Sequence, residues 1–192
     1  MMLYKLTDEM GNTYQGTQWG AGVEHTAAGS GGGLCSASVI HAYRHPILAA
    51  LFNPIHAGFN SPQLWEAEGE VLLDDGLKVG CRKVKTLRKI PLPVITRNQR
   101  VRFSIYVALL NCTDPCFTAW AENWLSGRDR TKTAAWAAWA EAEAEAEAAA
   151  AAAQAAARVN LVEIIERAIC DENEYEETQR GEGDSDVTIS GA

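Results

Sequence analysis

The sequence predicts an α+β protein: a small antiparallel sheet with packed helices, then one long alanine-rich helix and a disordered acidic tail. Three observations carry this. All six prolines and most of the glycines and aromatic residues precede residue 127, the mixture that a punctuated, core-forming body requires. From about Thr131 there follow some forty residues without proline or glycine, built largely of alanine and glutamate. Charge divides at the same place. Met1 to Ser126 holds eleven Lys/Arg against ten Asp/Glu, whereas Gly127 to Ala192 holds six against fifteen, so nearly all of the net charge of −8 lies in the last third. The expected organisation is a compact domain over 1–127, a helix over 128–170 and a tail over 171–192.

Within the body, Met2 to Leu6 reads as a first strand, with Asp8 to Asn12 as its turn and Thr13 to Trp19 as a hairpin partner. Gly29 to Gly33 breaks regular structure, because glycine loses the most backbone entropy on ordering. It lacks the Gly-Lys-Ser/Thr ending of a phosphate-cradling loop. Pro46 suits the first turn of a helix carrying Ile47, Leu48, Ala50, Leu51 and Phe52, which Asn53-Pro54 is expected to stop. Gln63 to Leu73 reads as a strand with Glu66, Glu68 and Glu70 on one face. Asp74-Asp75-Gly76 signals a tight type I′ hairpin turn. Leu77 to Ile90 returns as its partner, and the phase shift from Cys81 to Val84 predicts a bulge near Arg82-Lys83. Pro91-Leu92-Pro93 ends it.

Thr96 to Gln99 has the form of a capping box. The helix it opens carries Val101, Ile105, Ala108 and Leu109 and ends near Asn111. Asp114-Pro115 starts a second, with Phe117, Trp120, Ala121 and Trp124 at helical spacing, closed by Ser126-Gly127. The alanine-rich stretch follows. Alanine and glutamate are strong helix formers, and at ~1.5 Å per residue a continuous helix here extends roughly 60 Å, so it needs a partner or leaves the body. Trp136 and Trp139 are expected to pack on Trp120 and Trp124. Leu161, Ile164, Ile165, Ala168 and Ile169 form an apolar stripe, and self-association through 131–170 is expected.

Candidate chemistry is sparse. From Lys78 to Arg102 there are nine basic residues and no acid, which offers an anion site for a nucleotide-like ligand through His41, Arg82, Lys83, Lys85 and Arg88, against the plainer reading of solvated strand and helix faces. No aromatics are interleaved, which argues against nucleic acid. Cys35, His41, His45 and His56 are the densest group of reactive side chains. A thiolate with imidazoles suits zinc, but Pro46 interrupts the helix that would align His41 with His45, so backbone hydrogen bonding is favoured and no metal is expected. Cys112 and Cys116 lack the two-residue spacing of redox or zinc pairs, and five scattered cysteines read as reduced thiols. No run approaches the length of a membrane span and Met-Met-Leu-Tyr-Lys has no signal-peptide character, so a cytoplasmic location is expected. Glu66 and Glu68, at i and i+2, could together stabilise an oxocarbenium-like transition state, against a solvated face opposite Lys83 or Lys85.

Leu34-Cys35-Ser36, Ile40-His41-Ala42-Tyr43, His45-Pro46, Ala49, Leu64 to Gly69, Lys78 to Cys81, Leu87 to Pro93 and Asn123 to Arg130 together resemble a group of uncharacterised phage- and prophage-encoded proteins, over about residues 34–169. That resemblance implies a phage genetic setting, with a host or phage protein as partner, and no mechanism. A fainter similarity, in Leu3-Tyr4, Ser36 or His41, and Glu66/Glu68, is to ADP-ribosyltransferase-like folds, and implies an enzyme acting on NAD with Glu66, Glu68 and His41 as catalytic residues. The expectation put first is a non-enzymatic accessory protein that binds a partner. The transferase and a structural role through the helix are the alternatives.

Overall fold

The computed structural model describes residues 1–29, 31–34, 36–110, 112, 114–131 and 160–184. The fold is α+β, as predicted, and the chain divides into a unit of Met1–Ile95 and a unit of Thr96–Ala192.

The first unit is a sheet. Strand β1 (Met2–Thr7) pairs antiparallel with β6 (Gln63–Asp74), and β6 pairs along its length with β7 (Val79–Ile90). The far side of β7 carries two short strands, β4 (Glu24–Thr26) and β5 (Ile40–Ala42). The residue after β5, Tyr43, exchanges two 2.8 Å backbone hydrogen bonds with Tyr4 of β1. The path β1–β6–β7–β5 therefore returns to β1, and this part of the sheet closes on itself. Its inner side holds Leu3, Trp19, Ala42, Ala67, Val79, Cys81 and Val84, with Ile40 and Val71 packed against them.

Helix α1 (Pro46–His56) packs against β1. Its N-terminus follows the sequence signals: His45 accepts the Ile47 amide through Nδ1, and Pro46 occupies the first turn, where its missing N–H costs nothing. The helix passes Pro54 instead of stopping there. A proline so near the end removes only one late hydrogen bond, and the Asn53 carbonyl still accepts from Ala57 and Gly58.

Two expectations about hairpins are corrected. Thr13 to Trp19 is not the partner of β1. Residues β2 (Asn12–Thr13) and β3 (Thr17–Gln18) pair with each other around a short turn, and Trp19 drops into the core with its indole N–H on Thr13 Oγ1 at 2.9 Å. The β6–β7 connection is not a two-residue type I′ turn either, because the register pairs Asp74 with Val79 and leaves four residues between them. Asp75 Oδ1 accepts the amides of Leu77 and Lys78, and Gly76 takes φ 82°, so the side-chain-capped loop satisfies more backbone than the tighter turn would. The bulge expected near Arg82-Lys83 is present as a register shift that skips Arg82, and further shifts fall at Leu87 and Leu72.

The second unit is helical, and here the expected boundary at 127 and the expected tail from 171 both move. Helices α2 (Arg97–Leu109) and α3 (Pro115–Leu125) fall in the same unit as the C-terminal segment, and Ile105, Phe117, Ala121 and Trp124 form a core between the two helices. The capping box at Thr96 is complete in both directions, and Asp114 caps α3 by accepting the Phe117 amide at 2.8 Å. Helix α4 (Leu161–Asp184) packs on α2 and takes in residues 171–184 of the stretch expected to be disordered; the rest of that stretch lies outside the described residues. Composition misled because acidic residues on its inner side are matched. Glu172 is 0% exposed and meets Arg102 at 2.8 Å and Arg130 at 2.7 Å, while Asp171 accepts the Tyr106 hydroxyl. The Arg130 guanidinium lies between the rings of Trp124 and Tyr175, at 4.3 and 3.8 Å. Tyr175 in turn presses on Gly127, where any Cβ would come within 2.4 Å of its ring. The expected packing of Trp136 and Trp139 and most of the expected 128–170 helix lie outside the described residues. No helix among the described residues is long and apolar enough to cross a membrane.

Burial alone would raise the Glu172 carboxyl, but the hydrogen bonds and charges of Arg130 and Arg102 hold it below its ordinary value. Its contribution is therefore present at neutral pH and lost as pH falls through the lowered folded pKa. Glu172→Gln leaves the buried Arg102 without a counter-charge, a change that typically costs about 3–5 kcal/mol. Denaturant unfolding of the full chain, followed by helical circular dichroism, should show a loss of that order; a loss under ~1 kcal/mol would mean that the triad does not hold α4 in place.

Lys5 is the exception in the sheet core. It is 7% exposed, with Nζ donating to the His41 carbonyl at 2.7 Å and lying 5.2 Å from the Trp19 ring centroid. Burial pushes it down to about 8, so the charged form opposes folding below that pH. The unfolded lysine holds its proton up to the ordinary 10.5, so stability rises as pH increases from about 8. Burial pushes the Cys81 thiol up from 9.0 to about 11, and the unfolded thiol ionises first, so above about 9 this group works the other way. Unfolding free energy measured against pH should rise between about 8 and 9 and flatten above that. Lys5→Met should abolish the rise, and Cys81→Ala should steepen the curve above 9.

Candidate functional site

The outer side of the β6–β7 ladder carries charge in cross-strand rows. Glu24, Lys85 and Glu68 stand in one row across β4, β7 and β6; Thr26, Lys83 and Glu70 stand in the next; Arg88 faces Glu66. Side chains on opposed residues of neighbouring strands share a face, which is why period-two glutamates meet period-two lysines here. Arg88 grips Glu66 through two bonds of 2.6 and 2.7 Å, and Lys83 lies 2.8 Å from Glu24. The hydrogen bond and charge of Glu66 raise the Arg88 guanidinium further. Beside these rows lies a shallow open depression of about 250 Å³, lined by Met1, Glu24, Glu68, Gly69, Glu70, Lys83 and Lys85.

The residues expected to hold an anion are thus divided. Lys83, Lys85 and Arg88 lie on this face with four carboxylates, those of Glu24, Glu66, Glu68 and Glu70, among them. Arg82, at the bulge, reaches the Gly29 carbonyl at 3.4 Å. His41 belongs to another group. Of the residues expected to act on NAD, Glu66 and Glu68 share the charged face, with the Glu66 carboxylate held by Arg88, while His41 points a ring nitrogen at the Leu34 carbonyl.

That second group gathers side chains that the sequence scatters. β5 supplies His41 and leads to Tyr43; the last turn of α1 supplies His56; the β6–β7 loop supplies Asp75 and Lys78. Tyr43 Oη and His56 Nδ1 are 3.2 Å apart, and the His56 ring stacks on Tyr43 at 6.0 Å and on Phe52 at 5.2 Å. Asp75 Oδ2 lies 3.8 Å from Lys78 Nζ, whose side chain is only 13% exposed. Burial pushes Tyr43 up to about 12, with the Asp75 charge adding to it. Burial also lowers both histidines. Around His41 the Leu34 carbonyl and Asp75 pull upward, and Lys5 and Lys78 push further down. Around His56, Lys78 and His41 lower and Asp75 raises.

Of the zinc candidates, His45 caps α1 and His41 and His56 enter this group; Cys35 lies outside the described residues. No group of three or more potential metal ligands occurs among the described residues. Cys112 and Cys116 form no disulfide among the described residues. The signal that sequence reading missed was the loop acid and lysine, Asp75 and Lys78, whose charges act on both imidazoles.

No family model, curated protein or solved structure matches the chain. The phage-type and transferase-type resemblances accordingly assign nothing to these side chains.

In a ¹H–¹³C titration of the four histidines, the rings of His41 and His56 should have midpoints below the ordinary 6.5. Lys78→Gln removes a nearby positive charge and should raise both, His56 and His41 alike; unchanged midpoints would show that Lys78 is remote from the imidazoles.

Proposed function

We propose that this protein acts by binding a protein partner through the charged face of its sheet unit, and that it does so without catalysing a reaction. The observation that carries the reading is the alternation of Glu24, Lys85 and Glu68, and of Lys83 and Glu70, around an open depression floored by Gly69. Each cation there has a carboxylate neighbour. A face of this kind has little net pull on a small anion but presents a fixed charge pattern, which is how complementary protein surfaces select partners and orient encounter. The depression is open and shallow, whereas small-molecule sites enclose most of their ligand. Lys83, Lys85 and Arg88, which belong to an acid-free run in the sequence, face carboxylates on other strands. The phage-type resemblance points to a host or phage protein as the partner.

The test is capture on immobilised protein with mass-spectrometric identification. A partner retained by the wild-type chain should be lost, about tenfold or more, with Lys83→Glu/Lys85→Glu, and kept with Arg128→Glu, at an exposed position of the helical unit. Equal retention by all three proteins, each with unchanged circular dichroism, would remove the charged face as the binding surface.

A further inference from the structure

The charged face ends at β4, the last strand of the path β1–β6–β7–β4. On one side β4 is tied to β7 through alternate residues. The Val23 carbonyl accepts from the Thr86 amide at 2.9 Å, the Ala27 amide donates to the Arg82 carbonyl at 2.8 Å, and His25, midway between them, faces Val84. In an antiparallel ladder the residues between such pairs turn their backbone groups the other way. Glu24 and Thr26 therefore direct their amides and carbonyls away from β7, and none of these four groups has a hydrogen-bond partner among the described residues. Both residues are exposed, and nothing from Val23 to Ala27 is buried. Sheets commonly guard such an edge with lysine or proline, and Val23 to Ala27 contains neither.

The two faces of this edge differ. Glu24 ends the row that runs Glu68, Lys85, Glu24 from β6 to β4, so a strand added beyond β4 sets a side chain next to its carboxylate. Lys83 reaches Glu24 at 2.8 Å, yet the Glu24 side chain stays 42% exposed and open to a second cation. On the opposite face the His25 ring meets Trp19 edge-on at 4.7 Å, with Nε2 2.8 Å from the Gln18 carbonyl.

We propose that β4 is the docking edge for the protein partner: an extended segment of that partner joins the sheet as a further strand, hydrogen-bonded to Glu24 and Thr26, with a lysine or arginine beside Glu24 and an apolar residue beside His25. The proposal rests on the reading of the charged face as a protein-binding surface and names the form in which the partner meets it. Backbone bonds supply the affinity in this mode, and alternate side chains select the sequence. A cation opposite Glu24 continues the alternation of the row, whereas a carboxylate there is repelled. A second copy of the chain fits less well. Two β4 edges meeting antiparallel about His25 would set Glu24 beside Thr26, with no cation between them.

The experiment follows amide hydrogen exchange by ¹H–¹⁵N spectra of the full chain, with the acetylated, amidated peptide Thr-Val-Lys-Val-Thr as probe. In excess peptide the Glu24 and Thr26 amides should exchange about tenfold more slowly, while those of His25 and Ala27 keep their rates. Glutamate in place of the peptide lysine should weaken binding about fivefold or more. Methylation of the lysine amide should abolish it, and methylation of a valine amide should not. Thr26→Pro, which removes an outward N–H and no bond to β7, should also abolish it with circular dichroism unchanged. No slowing at Glu24 and Thr26, equal binding of the lysine and glutamate peptides, or equal binding of the two methylated peptides would each overturn the docking edge. Slowing of the same amides on raising protein concentration without peptide would assign the edge to a second copy and overturn it too. Capture of a partner that depends on Lys83 and Lys85 reads the charged face whatever the partner's shape, so that reading stands or falls separately.

Discussion

Two backbone hydrogen bonds between Tyr4 and Tyr43 hold together most of what is distinctive in the sheet unit. They join the first strand to the segment after β5, and so turn a row of strands into a closed path. Once the path is closed, Lys5 on β1 donates to the His41 carbonyl and is largely withdrawn from water, and Tyr43 is held where its hydroxyl reaches His56. An open sheet would leave Lys5 at an edge with its ammonium solvated. The cost of burying that charge is thus a consequence of topology, and it is offset only in part by one carbonyl and one indole face.

The helical unit solves a similar problem in the opposite way. Its buried charges are matched: Glu172 accepts from two arginines, and Arg130 is flanked by two aromatic rings. Such a triad contributes less to net stability than an apolar core of the same volume, but it penalises every arrangement in which one member is missing. It ties the end of α3 to the middle of α4 and so selects one register for a helix whose own composition is mostly polar. The uncompensated lysine and the fully compensated glutamate lead to different responses to pH, one in the alkaline range and one in the acid.

Much of the local structure was legible. The helix starts at Pro46, Thr96 and Asp114, the β6–β7 hairpin and the bulge at Arg82 follow from residues close in sequence, because caps, turns and alternation are properties of a few consecutive side chains. What failed needed partners from elsewhere. The hairpin expected between Met2 and Trp19 yielded to β6, which offers β1 six paired residues. Residues 171–184 of the expected tail are helical, and there Arg102 and Arg130, more than forty residues away, neutralise Glu172.

The sequence by itself determined the α+β class, the capped helix starts and the alternation of Glu66, Glu68 and Glu70, since each depends on the period of one segment. Tertiary structure alone decided which charges are matched and which side chains meet. Lys83, Lys85 and Arg88 of the cationic run met glutamates on β4 and β6, Arg102 met Glu172 on α4, and Tyr43 met His56 from α1. Charge pairing acts over a few ångströms through space and carries no trace in chain order, so only the fold could reveal it.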